Sequence, residues 1–415
     1  MKKRLAWLLL VCMVCSFVFS AGASAESIVF AGWSGEEEST KDIFIQMREG
    51  FQTKTGTTVD WVGWPWADTA QQLLIRAQGN EQLDIAQVDI TIFSNVSAAG
   101  ILADWNDILG ADFVSENFEA ASLAIGQVDG KQYGLPWTIA AGTMVYNPQI
   151  LAAAGWDAPP VTVEEFEKCL ADVAASDPEV IPYAISTKDT TCANDFVPWL
   201  WTFGGTLFDG QGGVSINNEK AAACVEWYKG LLANNFIRMD MSRFDSRQLF
   251  AQGKVAFYDD AVVAKGVALG NGVALEDVTS VCSAMPRPVL VVGNDPLSQM
   301  WGHMLVIFDK SAAKDQAGEF AKYLLSEEVA IPYFEKNGLP PALKSLIESD
   351  QVQNDAYIKG FLDATKTARL EETVGMSNGN EIKTIIVEEL QAALLDAKTV
   401  QEALDDAAAR IAAAL

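Results

Sequence analysis

Histidine is almost missing from this 415-residue chain, and His303 is the only one. Zinc-peptidase motifs and Ser-His-Asp or Cys-His arrangements all need that residue type, so none is available unless His303 itself served as the base. Cysteine is also sparse. Of six, only Cys169, Cys192, Cys224 and Cys282 follow the first 25 residues, with no CxxC pair and no Cys/His cluster. That pattern calls for no metal and no cofactor. It leaves three possible disulfide pairings or buried free thiols. Basic residues are scarce as well. Three of the 29 lie in the first 25 residues and none of the 55 acidic ones does, leaving 26 against 55 and a net charge of −29. Such a surface repels nucleic acid and anionic lipid. After residue 25 no apolar run approaches the ~20 residues that a membrane-spanning helix needs. No internal repeat or low-complexity linker breaks the chain, which favours lobes joined by several crossings over beads on a string.

The first 25 residues form a unit of their own. Lys2, Lys3 and Arg4 precede the apolar run Leu5–Phe19, and Ala23-Ser24-Ala25 has the small-x-small form of a cleavage site. Residues 1–25 therefore read as an export signal, with a soluble periplasmic or extracellular chain starting at Glu26.

Beyond it the segments alternate. Ser27–Ala31 reads as a strand, Glu36–Phe51 as a helix with Ile43, Met47 and Phe51 on one stripe, and Thr57–Val62 as a strand. A helix over Ala67–Ala77 follows Trp64-Pro65-Trp66, and the alternation continues through Leu83–Val88, Ser94–Ala99 and Leu102–Trp105. Later, Thr162 and Glu165 form a capping box before a helix over Val163–Ala175. Lys220–Asn234 is expected to be helical with Ala223, Trp227 and Leu231 on one side. Strand alternating with helix indicates the α/β class. A length of 415 residues calls for two domains.

The stretch that organises the chain is Asp129–Asn147. Asp129-Gly130 is a hairpin turn dipeptide. Gly134-Leu135-Pro136 is expected to halt that pairing, with Pro136 outside any sheet because it has no N–H to donate. Thr138–Tyr146 is then a strand crossing from one lobe into the other, with Trp137 at the crossing point.

An ordered set of short motifs accompanies this pattern: Trp33-Ser34 at the start, Phe51–Gly56 before a strand, Gly100–Asp104, Asp129–Pro136, Tyr146-Asn147, Pro160–Phe166, Gly204-Gly205, Phe250–Phe257 and Thr399–Leu404. In this order the chain resembles the family 1 extracellular solute-binding proteins, the maltose-binding-like receptors of carbohydrate ABC importers. The resemblance implies the two-lobe periplasmic-binding-protein fold (type II), α/β, with hinge strands and a ligand cleft between the lobes. It places hinges near Ile139–Ala141, Val281–Ala284 and Phe308–Ser311. Residues 26–138 and 285–308 then make lobe 1, and 139–284 and 309–415 make lobe 2. It further implies a monomer that binds a sugar and meets the permease subunits of a transporter in the membrane.

A sugar presents an apolar CH face ringed by hydroxyls, so its site wants aromatic platforms with carboxylates and amides at their edges. Trp33, Trp64, Trp66, Trp137, Trp199 and Trp301 stand at element ends and are the candidate platforms, although for Trp66 and Trp201 core packing is the favoured reading. Trp61, Trp105 and Trp227 are expected in the core. Candidate polar edges are Glu36, Asp89, Asn194, Asp195, Tyr258, Asp259, His303 and Asn380. Two further readings stay open. One is an exported carbohydrate-active enzyme using paired carboxylates such as Asp259 or Asp260, and the other is a receptor for a polyamine or similar cation held in tryptophan cages.

Overall fold

The computed structural model describes residues 27–37, 40–376 and 378–415, so the export signal expected at residues 1–25 lies outside the described residues. Ten strands are described: β1 (Ser27–Gly32), β2 (Thr58–Gly63), β3 (Ile85–Asp89), β4 (Gln127–Val128), β5 (Lys131–Gln132), β6 (Leu135–Tyr146), β7 (Ile181–Tyr183), β8 (Val255–Asp260), β9 (Ser283–Met285) and β10 (Gln299–Ile307). The main sheet runs β2-β1-β3-β10-β6-β8-β7, with β9 also on β6. β1 is paired in parallel on both sides, and its near-continuous buried run from Ile28 to Gly32 is what such a covered strand requires. β4 and β5 are the expected Asp129-Gly130 hairpin. Its two turn residues sit at φ 50 and φ 77, the conformation of a two-residue type I′ turn.

β6 is the crossing strand. Its first part, Leu135–Gly142, pairs with β10, and its last part, Thr143–Tyr146, lies between β8 and β9. One sheet thus carries two halves, with the change of partner between Gly142 and Thr143. Pro136 lies inside this strand, contrary to the expectation that it would stand off the sheet. A register shift between His303 and Met304 falls opposite it, so the ladder is already irregular where proline has no N–H to give.

Two hydrophobic cores flank this sheet. The first gathers Ile28, Phe30, Ile85, Val88, Trp105 and Met304, and continues past β6 to Val255 and Tyr258 of β8. The second gathers Phe166, Leu170, Trp199, Tyr228, Ile386 and Leu404. The helices Lys314–Leu325 and Glu327–Asn337, expected in lobe 2, place Phe320, Leu324 and Phe334 in the first core. The reason lies in Phe308–Ser311, which is no crossing. The N–H of Asp309 donates to the Ile101 carbonyl at 2.9 Å, and Ser311 Oγ donates to Asp84 Oδ1 at 2.5 Å. The chain returns later, past Arg369, whose N–H donates to the Ser298 carbonyl and whose carbonyl accepts from Met300, both at 2.8 Å. The helices Gly379–Leu394 and Val400–Ala414 then join the second core.

Other local expectations met tertiary context. The helix expected over Glu36–Phe51 begins at Lys41, after a short 3₁₀ turn at Ser34–Glu36. Leu102–Trp105 contains one bridge, Leu102 to Phe308, and Trp105 opens a helix. The buried side of Glu219–Ala233 is Ala221, Cys224, Val225, Tyr228 and Leu231, not the Ala223 stripe. The four cysteines are buried free thiols. Among the described residues no helix is long and apolar enough to cross a membrane.

The crossing is tightest at Gly302, where an added Cβ would lie 2.3 Å from the Thr138 carbonyl oxygen on β6. Gly302→Ala should therefore force β10 and β6 apart and cost roughly 1–3 kcal/mol in urea unfolding. An alanine variant as stable as the parent would show that the two strands are not locked there.

Candidate functional site

Where the two halves meet, three rings form a row along β1 and β10. Trp33 packs edge-on against His303 at 4.9 Å, and Trp301 lies 4.8 Å from the same imidazole. Trp301 and His303 are two apart on β10 and so share a face. Gln87 on β3 pins the row. Its Nε2 contacts His303 Nδ1 at 3.0 Å and Ser34 Oγ at 2.9 Å, while its Oε1 accepts the Ser34 N–H. Burial pushes the His303 pKa down to about 3, so the ring is neutral near pH 7 and a poor general base.

The first wall rises from the loop at Trp64-Pro65-Trp66. Pro65 caps the helix Trp66–Gln78, and the Trp66 ring is left 40% exposed. That ring is not free to swing, because its Nε1 donates to Asp89 Oδ2 at 2.6 Å. The other oxygen of Asp89 accepts the Ile92 N–H at 2.7 Å and caps the helix Ile90–Ala98. Burial raises the Asp89 pKa, opposed by these donors and by Lys383 from the facing wall. Trp64 is half-buried under the Arg76 guanidinium, 5.3 Å away. Glu36 is exposed and accepts from Trp61 Nε1 at 2.7 Å.

The second wall is held by ion pairs. Asp195, in the helix Thr191–Thr202, binds Arg243 and accepts the Ser186 N–H at 3.0 Å. Arg247 grips Asp260 with two bonds, of 2.8 and 2.6 Å. Its charge also reaches across to Glu37 on the first wall, an exposed residue whose carboxyl pKa is raised by partial desolvation from crowding neighbours and lowered by Arg247. Asp259 is held by Arg287 and by the Tyr183 hydroxyl. Asn194 Oδ1 is buried with no hydrogen-bond partner among the described residues. Between the walls lies a small cavity bordered by Ile90, Thr91 and Ser94 on one side and Met376, Asn380 and Lys383 on the other.

The structure thus brings Trp33, Trp301 and His303 together, and Trp66 with Asp89. Asn194 and Asp195 share the second wall, and Asn380 borders the small cavity. Trp33, Asp89, Asp195 and His303 are themselves buried, and four further candidates lie in the interior. Trp137 is 1% exposed and stacks on Tyr333 at 5.0 Å. Trp199 is fully buried, donating to the Tyr183 hydroxyl at 2.8 Å with Arg287 over its ring. Tyr258 packs on Phe250 at 4.7 Å, and Asp259 is consumed by its ion pair. Trp201 is buried too, donating to Glu372 at 2.9 Å. Sequence reasoning missed Glu37, Gln87, Arg243, Arg247 and Lys383. The arginines carried a signal, i and i+4 on a helix opened by the Ser242–Asp245 capping box. The others carried none. Among the described residues no group of acidic, cysteine and histidine side chains is arranged to hold a metal ion.

The geometry has relatives. A family model described as bacterial extracellular solute-binding protein matches residues 46–360. The diacetylchitobiose binding protein DasA of Streptomyces coelicolor is 24% identical over 331 residues, 76% of this chain and 73% of that protein. Among solved structures, the GacH receptor of Streptomyces glaucescens, studied unliganded and with acarbose, aligns with a TM-score of 0.81 at 21% identity, covering 94% of this chain and 98% of that one. An ABC transporter solute-binding protein of Thermotoga lettingae bound with α-D-tagatose aligns equally well, at 20% identity and over 94% and 99% of the two chains. At these identities the structural likeness establishes the two-lobe fold.

Two expectations follow from the placements. Trp137→Ala should behave as a core truncation, costing about 3–5 kcal/mol in chemical unfolding; a loss under 1 kcal/mol would return that ring to the surface. His303 takes its proton less readily folded than unfolded, so it subtracts stability as pH falls from about 6.5 toward about 3. Replacing it by Gln should flatten the stability profile across that window by up to ~1.4 kcal/mol per pH unit relative to the parent. Parallel profiles for the two proteins would show that the imidazole is solvated.

Proposed function

Since the chain belongs to the bacterial extracellular solute-binding family, we propose that it is the extracytoplasmic receptor of an ABC importer. It binds a sugar or oligosaccharide between its lobes and delivers it to the permease, acting as a monomer released from its export signal near Ala25. The observation that carries this reading is Trp66: a half-exposed indole whose orientation is set by the carboxylate of Asp89 at the lip of the gap between the lobes. An apolar ring face beside a fixed carboxylate suits the CH face and hydroxyls of a pyranose. Asn194 offers a buried acceptor on the opposite wall. Ligand contacts made to both walls at once favour the closed arrangement, which is how a two-lobe receptor couples occupancy to shape. The names of its relatives, with diacetylchitobiose and acarbose among their ligands, favour a carbohydrate.

The other readings find less support. A hydrolase using Asp259 or Asp260 would need a carboxyl free to take or give a proton, and each is clasped by a guanidinium. A polyamine would need unpaired carboxylates, and Asp195, Asp260 and Glu371 are already paired with Arg243, Arg247 and Lys383.

Calorimetry of the purified protein against mono- and oligosaccharides tests the proposal. Binding to at least one is expected, and silence across the panel would refute a carbohydrate ligand. Trp66→Ala should weaken the bound sugar by at least ~1 kcal/mol, about fivefold in Kd, with the fold retained but destabilised by ~1–3 kcal/mol because Asp89 loses its indole donor. Unaltered affinity would remove Trp66 from the site.

A further inference from the structure

The passage from β9 to β10, residues 286–298, carries an aliphatic knuckle at its tip. Leu290, Val291 and Val292 are 43%, 61% and 75% exposed, and Val161, 59% exposed, adjoins them. The adjacency is fixed by the backbone: the Val289 N–H donates to the Val161 carbonyl and the Val163 N–H to the Val289 carbonyl, both at 2.9 Å. The tip is a closed turn in which the Asn294 N–H donates to the Val291 carbonyl at 3.1 Å and Gly293 takes φ 98. At the base Thr367 Oγ1 donates to the Pro296 carbonyl at 2.5 Å. Turn tips are normally polar, and a run of consecutive exposed apolar residues opposes solubility unless something covers it. Here the backbone is held, so the patch is presented already formed.

We propose that this knuckle is a docking surface for the membrane subunit of the transporter, seated in an apolar socket rimmed by Lys and Arg. The inference rests on the receptor reading above. Charge selects the occupant. The exposed charged residues of 155–165 and 286–298 are all acidic, namely Asp157, Glu164, Glu165 and Asp295, with Arg287 buried. Of the exposed cations just beyond, Lys168 and Lys366 are paired with Asp172 and Asp363, and Arg369 stands at the base of the loop, away from its tip in sequence, so the balance is acidic. An anionic bilayer is repelled by that rim, and so is a second copy of the same acidic chain. A basic-rimmed protein surface is attracted to it and covers the aliphatic tip. The loop also joins the two halves of the sheet, so a partner seated on it touches a segment whose ends follow both lobes.

The test uses cells lacking the chromosomal copy, complemented with the parent, with Val291→Ser plus Val292→Ser, or with Val291→Asp plus Val292→Asp. Uptake of a labelled oligosaccharide that the purified parent binds is read beside calorimetry of each purified variant with the same sugar. Expected are affinities within twofold of the parent, with uptake cut at least tenfold by the Asp pair and less by the Ser pair. Normal uptake by a variant of normal affinity overturns the docking surface and leaves the receptor reading standing. A parent that binds the sugar but supports no uptake overturns both. Binding of the purified parent to phosphatidylglycerol vesicles, or a dimer in sedimentation, that the Asp pair abolishes would assign the patch to lipid or to a second copy and overturn the proposal.

Discussion

The ladder along β6 is the constraint from which the remaining geometry follows. Its first eight residues take β10 as partner and its last four take β8 and β9, so a single backbone must satisfy the hydrogen bonds of two half-sheets at once. An unpaired buried N–H or C=O costs ~1–3 kcal/mol, which leaves little freedom in where the partners change. That point is at Gly142 and Thr143. Trp301, opposite Ala140, is thereby held beside the junction, and the Trp33, His303 and Trp301 row forms at the base of the gap between halves.

The walls above that base obey a second constraint, the cost of placing charge where water is scarce. Asp195, Asp259 and Asp260 are buried, and each has an arginine on it. Such pairs often contribute little net stability, because desolvation offsets their attraction. Their value is geometric, since an arginine fork fixes a carboxylate in both position and angle. A wall built in this way is nearly neutral to a ligand despite its many charged side chains, and it offers hydrogen-bonding edges in place of an unbalanced field. Asp89 works on the other wall by a different route, with backbone and indole N–H groups in place of a guanidinium.

Much of the fold was legible because its causes are local. The Asp129-Gly130 hairpin, the Thr162–Glu165 box, the Ile43, Met47 and Phe51 stripe and the crossing strand all depend on residues a few positions apart. The α/β class followed from their order, and the two-lobe plan was what the family resemblance implied. Errors arose where distant partners decide. Phe308–Ser311 looks like a crossing until Asp84 and Ile101 claim it. Pro136 looks like a sheet breaker until a register shift on β10 falls opposite it.

The clearest division lies between two indoles. Trp66 and Trp137 each follow a proline at the edge of an element, and nothing in their immediate neighbours separates them. Sequence by itself determined that Trp66 stands at a helix start, because proline and helix-start chemistry act within a few residues, whereas the same reasoning set Pro136 off the sheet that carries Trp137. Only the tertiary structure decided that Tyr333 and Phe44 close over Trp137 while Trp66 keeps a face open beside Asp89. Burial is a property of what arrives from elsewhere in the chain, and no local pattern encodes that arrival.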